Sequence, residues 1–146
     1  MKRNARAIWQ GTGLEGIGTL STPKSGAFKS LPYSFTTRFQ NEDGDLGTNP
    51  EELIAAAHAG CFTMALSFQL SNNGFTPDQL ETEAVVNMEK FDSGWEITGI
   101  NLIVEGSVPG ISEDRFKELA GNAKKGCPIS KALSSVSISM EARLKA

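Results

Sequence analysis

Between Pro50 and about Asn72 the chain carries one apolar run too long for a strand and too continuous for a loop. Leu53, Ile54, Phe62, Met64, Leu66, Phe68 and Leu70, with alanines between them, fall on every side of a helix with ~3.6 residues per turn. Whatever this chain folds into must cover that helix. A membrane span needs about 20 predominantly apolar residues, so that reading is weighed first. His58, Thr63, Ser67 and Gln69 interrupt the run, and alanine makes up much of its bulk. A central helix buried on several sides accounts for it more simply. Asn49 is a good N-cap, Pro50 a good first helical residue, and Asn73-Gly74 a good stop.

The flanking segments read as strands and shorter helices. Residues 3–9 and 16–21 form two strands around a glycine-rich turn, and Pro32–Phe39, rich in β-favouring residues, forms a third. Residues 41–49 are loop. Leu80–Phe91 and Trp95–Gly106 form a hairpin around Asp92-Ser93-Gly94. Leu80, Ala84, Val86 and Met88 share one face of its first strand, and Ile100, Leu102 and Val104 one face of its second. Ser112-Glu113-Asp114 opens a second helix that runs to about Lys125, acids early and lysines late as the helix dipole favours. Pro128–Leu133 is a short third helix. Val136, Ile138, Met140, Ala142 and Leu144 then alternate with polar residues in a final strand. This order predicts an α+β fold, largely antiparallel strands packed on helices, in one domain spanning 1–146. One thin sheet leaves the long helix short of cover, which a dimer enclosing the helices between two sheets would supply.

Composition excludes several classes. With 39% hydrophobic and 21% charged residues the chain is neither disordered nor membrane-like. A net charge of -3 gives no basic footprint for nucleic acid. Its two cysteines are too few for a disulfide scaffold, and no Cys/His cluster has zinc spacing. Met1–Trp9 is positively charged but has no apolar stretch behind it, so no signal peptide and a cytoplasmic, reducing location are expected. Gly11-Thr12-Gly13-Leu14-Glu15-Gly16 matches a dinucleotide-binding pattern, but a strand follows it and no acid lies at the required distance. It reads as a hairpin turn.

The two thiols carry the chemical interest. Cys61 lies about ten residues into the helix, beyond the reach of its dipole, among Ala, Phe and Met. That setting raises a thiol pKa and makes the sulfur inert. Cys127 precedes Pro128 at the start of the short third helix, where thiol pKa values fall. Local rules therefore name Cys127 as the reactive sulfur, and Cys61 would need a cation from elsewhere. His58 is one candidate; with Cys61 it also begins a metal site, but no third or fourth ligand is identifiable. Arg38, flanked by Phe35 and Phe39, is the other, either a cation–π surface residue or a charge in need of a carboxylate. Glu52, third in the helix, has a capping explanation; Glu51 either favours the dipole or holds an arginine.

Several segments together carry a resemblance. Asn49-Pro50-Glu51-Glu52-Leu53-Ile54-Ala55-Ala56-Ala57-His58-Ala59-Gly60-Cys61-Phe62 resembles the signature helix of the OsmC/Ohr family of osmotically inducible and organic hydroperoxide resistance proteins. Pro32-Tyr33-Ser34-Phe35-Thr36-Thr37-Arg38-Phe39, Gly74-Phe75-Thr76-Pro77, Val108-Pro109-Gly110-Ile111 and Ala123-Lys124-Lys125-Gly126-Cys127-Pro128-Ile129-Ser130 extend it over the whole chain, closest to the OsmC branch. Gly60 departs from the usual alanine beside the cysteine. The resemblance implies an intertwined homodimer with sites at the subunit interface. It implies a peroxidase acting on organic hydroperoxides, and more weakly on hydrogen peroxide, in stress defence. The peroxidatic cysteine falls on Cys61, the resolving cysteine on Cys127, the arginine on Arg38 and the glutamate on Glu51. The implied reductant is a dithiol, typically a lipoylated protein, and no metal or organic cofactor is needed. An unbroken helix sets Glu51 and Cys61 ~15 Å apart along its axis, so either the helix breaks or the two meet across a dimer. The competing readings are a thiol redox sensor or hydrophobic-ligand module on the same fold, and a structural dimer with incidental thiols.

Overall fold

A computed structural model describes residues 1–145 of the chain, which divide into two compact units, one over Met1–Leu53 and one from Ile54 onwards. In the first, strands β1 (Arg6–Gln10), β2 (Ile17–Ser21) and β3 (Leu31–Ser34) form an antiparallel sheet in that order. The G-x-G-x-x-G segment is the turn between β1 and β2. Trp9, Gly18 and Tyr33 lie side by side across the three strands, with the two rings 5.5 Å apart. A side chain on Gly18 would run into both rings. Its absence lets the aromatics close over the central strand.

The expected strand over Pro32–Phe39 ends early. Phe35–Phe39 is a short helix, α1, and Arg38 lies on it rather than on a strand. The physical reason is a reciprocal cap. The Thr37 amide donates to Ser34 Oγ (3.2 Å), and the Ser34 amide donates to Thr37 Oγ1 (2.9 Å). Two satisfied amides outweigh the weak β preference of Phe and Thr.

Helix α2 runs unbroken from Pro50 to Asn72. At its start the Glu52 amide donates to Asn49 Oδ1 (2.8 Å). At its end Gly74 takes a φ of 83° and the Phe75 amide donates back to Leu70 O (3.0 Å). Beyond it, β4 (Gln79–Phe91) and β5 (Gly94–Ser107) form the expected hairpin, followed by α3 (Glu113–Gly126), α4 (Pro128–Ala132) and β6 (Ser137–Leu144). The second sheet has the order β4-β5-β6. The largely antiparallel pairing expected holds for β1–β2, β2–β3 and β4–β5, whereas β6 pairs with β5 in parallel. Helices α3 and α4 make the crossover that a parallel pairing requires, so the chain re-enters the sheet in the direction it left.

The core of the second unit joins Phe62, Leu66 and Leu70 of α2, Ile100, Leu102 and Val104 of β5, and Phe116, Leu119, Ala120 and Ala123 of α3. The buried residues of α2 in this unit, His58, Phe62, Leu66 and Leu70, repeat at every fourth position and so form one stripe. The helix is long and apolar enough to cross a membrane by length and composition, but that stripe is the pattern of a core helix. Burial on several sides, as read from the sequence, is not what one chain provides: Met64 and Phe68 are 65% and 59% exposed. A sheet covers a helix from one side only.

Close packing of α3 on β5 rests on Gly106. A Cβ there would lie 2.7 and 2.8 Å from ring carbons of Phe116, which is fully buried. Gly106→Ala is expected to destabilise the protein by about 1–3 kcal/mol through overpacking, seen as a lower urea midpoint at unchanged m-value.

Candidate active site

Each unit assembles one pair of the residues singled out by sequence. In the first, α1 carries Arg38 and the first turn of α2 carries Glu51. Arg38 Nη2 donates to Glu51 Oε1 at 2.6 Å, and Arg38 Nε lies 3.2 Å from both carboxylate oxygens. This fork fixes the guanidinium plane. Arg38 also lies over the Phe39 ring, 4.9 Å from its centroid, so both readings of the arginine hold at once. The carboxylate is largely buried and the guanidinium about a third exposed, with side-chain exposures of 12% and 36%. Beside Arg38 lies a cavity of about 110 Å³ walled by Trp9, Tyr33, Phe35 and Phe39.

In the second unit α2 carries Cys61, and Cys127 lies between α3 and α4. The two sulfurs are 2.8 Å apart, hydrogen-bonded as free thiols. Cys127 is fully buried, while Cys61 is only partly so. Burial pushes the Cys61 thiol up, and its bond to Cys127 pushes the same way against the Ile129 amide. Burial also pushes Cys127 up, but the Cys61 thiol, the Ser130 amide and hydroxyl, and the Ile129 amide outweigh it, leaving Cys127 below its ordinary value. Cys127 makes no cap hydrogen bond of regular geometry to α4; the amides act on its sulfur from slightly further off. The sulfurs titrate as a unit in which the first proton lost leaves an S–H···S⁻ pair, with Cys127 favoured for the charge. The local reading of the sequence holds to that extent.

His58, on the buried stripe of α2, joins this cluster. Its Nε2 lies 2.8 Å from the Ser130 hydroxyl, and its Nδ1 has no hydrogen-bond partner among the described residues. Ser130 was missed by sequence reasoning. The only signal for it was a hydroxyl three residues after Cys127, where a helix turns its side chain and amide back towards the cap. Phe62, beside Cys61 in sequence, belongs to the core. Among the described residues no group of three or more His, Cys, Asp or Glu side chains could hold a metal ion.

Burial lowers the His58 pKa from the ordinary 6.5 and keeps the ring neutral. Below pH 6.5 the unfolded chain takes up a proton that the native chain refuses, so stability is complete above that pH and falls as the pH drops towards the lowered value. His58 is the one histidine, and carboxylates titrate lower, so the loss between pH 6.5 and about pH 5 belongs to it. Urea titrations across that range are expected to show this slope in the parent and a flat line in His58→Gln.

Residues 42–141 match the model of the family described as OsmC-like protein. The peroxiredoxin OsmC of Escherichia coli (strain K12) is 46% identical over 143 residues, 98% of this chain and 96% of its own. The organic hydroperoxide resistance protein OhrB of Bacillus subtilis (strain 168) is 31% identical over 103 residues, 70% of this chain and 74% of its own. The crystal structure of Bacillus subtilis OhrB superposes with a TM-score of 0.73 at 27% identity, covering 96% of this chain and 98% of that one. A family model that spans most of the chain and a relative 46% identical over 98% of it show that the chain belongs to the OsmC-like family.

Proposed function

We propose that the protein is a cysteine-based peroxidase that reduces organic hydroperoxides to alcohols, with Cys61 as the attacking sulfur and Cys127 as the resolving one. The observation that carries this is the sulfur pair: two free thiols in contact at 2.8 Å, of which only Cys61 is partly exposed. A peroxide must meet an accessible sulfur first, and a buried partner already in contact then closes a disulfide without backbone movement. The names of the relatives, a peroxiredoxin and an organic hydroperoxide resistance protein, support the same reading.

The chain's own electrostatics leave Cys61 the weaker acid, so its activation comes from a cation outside the second unit. Arg38, held by Glu51, fits that role, and we assign it to a partner subunit. Helix α2 does not break, so Glu51 and Cys61 of one chain stay ~15 Å apart along its axis. The exposed Met64 and Phe68 give α2 an apolar face for a second copy to cover. A guanidinium arriving beside Cys61 draws the negative charge of the S–H···S⁻ pair onto that sulfur, and the proton shifts to Cys127.

The thiolate then attacks the distal peroxide oxygen and the O–O bond breaks. The alkoxide leaves as alcohol, taking the nearby Cys127 proton, and Cys61 becomes a sulfenic acid. Cys127, now the thiolate, attacks that sulfur; the S–S bond forms and hydroxide departs, protonated to water. A dithiol restores both thiols by exchange, as a reducing cytoplasm would allow. The aromatic cavity beside Arg38 suits an alkyl or aryl tail. A slow redox sensor on the same fold would oxidise once and not turn over.

Cys61→Ser is expected to abolish turnover of tert-butyl hydroperoxide with a dithiol donor. Cys127→Ser is expected to accumulate a Cys61 sulfenic acid that a sulfenate probe labels; parent-like turnover in the first variant, or no labelling in the second, would remove these roles. Arg38→Ala is expected to slow peroxide attack by about a hundredfold, the scale of one lost electrostatic stabiliser. Mixing Arg38→Ala with Cys61→Ser protein should restore activity, because a mixed dimer holds one complete site. Recovery no greater than the sum of the two variants would place Arg38 and Cys61 in the same chain.

A further inference from the structure

We infer that His58 is a positioning residue for the resolving step: its Nε2–H donates to the Ser130 hydroxyl oxygen and so commits that hydroxyl's single proton to the Cys127 sulfur. This rests on the assignment of Cys127 as the resolving thiol. The Ser130 hydroxyl has one proton and two neighbours. Ser130 Oγ lies 2.8 Å from His58 Nε2 and acts on Cys127 from the third position of α4. It can point its proton at the ring or at the sulfur, not both.

The ring decides which. His58 is fully buried, Ser130 is 7% exposed, and His58 Nδ1 has no partner among the described residues. A proton on Nδ1 would leave an orphaned N–H donor in the core and turn the Ser130 proton towards the ring. A proton on Nε2 leaves only a bare lone pair, and buried acceptors go unsatisfied more readily than buried N–H groups. Burial disfavours the doubly protonated ring as well. The Nε2–H form is therefore the stable one, and it makes Ser130 a donor to sulfur.

This direction suits the chemistry. Cys127 attacks as a thiolate while Cys61 carries the sulfenic hydroxyl. The Cys127 lone pair becomes the S–S bond, the Cys61 S–O bond breaks, and the hydroxide picks up a proton and leaves as water. Both sulfurs reach the same oxidation level, so no outside oxidant enters. A donor fixed on Cys127 holds its thiolate in the interval between peroxide attack and condensation. Where the sequence leaves His58 without a role, the structure bonds it to the Ser130 hydroxyl, three residues after the resolving cysteine on the helix that cysteine opens.

The test is a single turnover with one equivalent of tert-butyl hydroperoxide and no reductant, quenched at intervals, with sulfenic acid trapped by a probe and disulfide measured by mass. Ser130→Ala and His58→Leu are expected to slow conversion of sulfenic acid to disulfide by about tenfold, the scale of one lost hydrogen bond to a charged group. His58→Gln, whose amide N–H can donate to Ser130, should return within about twofold of the parent. Parent-like conversion in Ser130→Ala overturns the inference, as does His58→Gln converting as slowly as His58→Leu, which would assign the histidine to packing alone. Should His58→Leu not fold, Ser130→Ala and His58→Gln decide between the same outcomes. A parent that forms no sulfenic acid at Cys61 would instead refute the underlying site assignment.

Discussion

One line of side chains on α2 organises the second unit. His58, Phe62, Leu66 and Leu70 are the positions the core accepts, and everything else on the helix follows from that choice of face. Phe62, Leu66 and Leu70 seat it against β5 and α3, and His58 extends the same line to α4 through Ser130. Once this line is seated, Cys61 is turned one position aside from Phe62, on the margin of the core. There it meets Cys127 while keeping some contact with solvent. A helix apolar all round has no intrinsic preference of face. The selection comes from the complementary shape of the sheet and α3, together with the one polar residue that can find a partner inside.

The arginine pair and the sulfur pair solve opposite electrostatic problems. The sulfur pair is a weakly polar unit inside a core, where a charge is tolerated only because a second sulfur, a hydroxyl and nearby amides share it. The arginine pair is a strong charge held by a fork of short hydrogen bonds with its guanidinium partly in water. A guanidinium buried beside the thiols would carry a large desolvation penalty in the resting protein. Keeping it neutralised by Glu51 lets a permanent cation wait near an apolar surface.

Much of this was legible in the sequence, for identifiable reasons. Periodicity gave α2, the β4–β5 hairpin, α3 and β6 because each is long enough for its pattern to exceed local noise. It failed at α1, where five residues are too few to show a period; the signal was Ser34 and Thr37 at capping-box spacing, outvoted by the β-favouring residues around them. The parallel pairing of β6 was not legible, since alternation records which face is buried and not which way the strand runs. Arg38 and Glu51 were nameable, but their contact depends on a loop that carries no pairing signal. The downward direction of the Cys127 shift was readable from its place before α4, but its largest lowering cause, the Cys61 thiol, and the Ser130–His58 bond between residues 72 apart lie beyond any local rule.

Cys127 closes α3 and opens α4 with a single residue. Its amide donates to Ala123 O (2.9 Å) and its carbonyl accepts from the Lys131 amide (3.1 Å), so its backbone is tied on both sides. A sulfur on such an anchor has no hinge. The oxidised pair would close a loop between residues 66 apart in sequence, and a crosslink of that span limits the unfolded chain by roughly 4 kcal/mol of entropy. Such a crosslink would make the oxidised state the more rugged one. The catalyst would be most resistant to unfolding while it waits for electrons, and its reductant would have to approach a fixed target rather than wait for one to swing out.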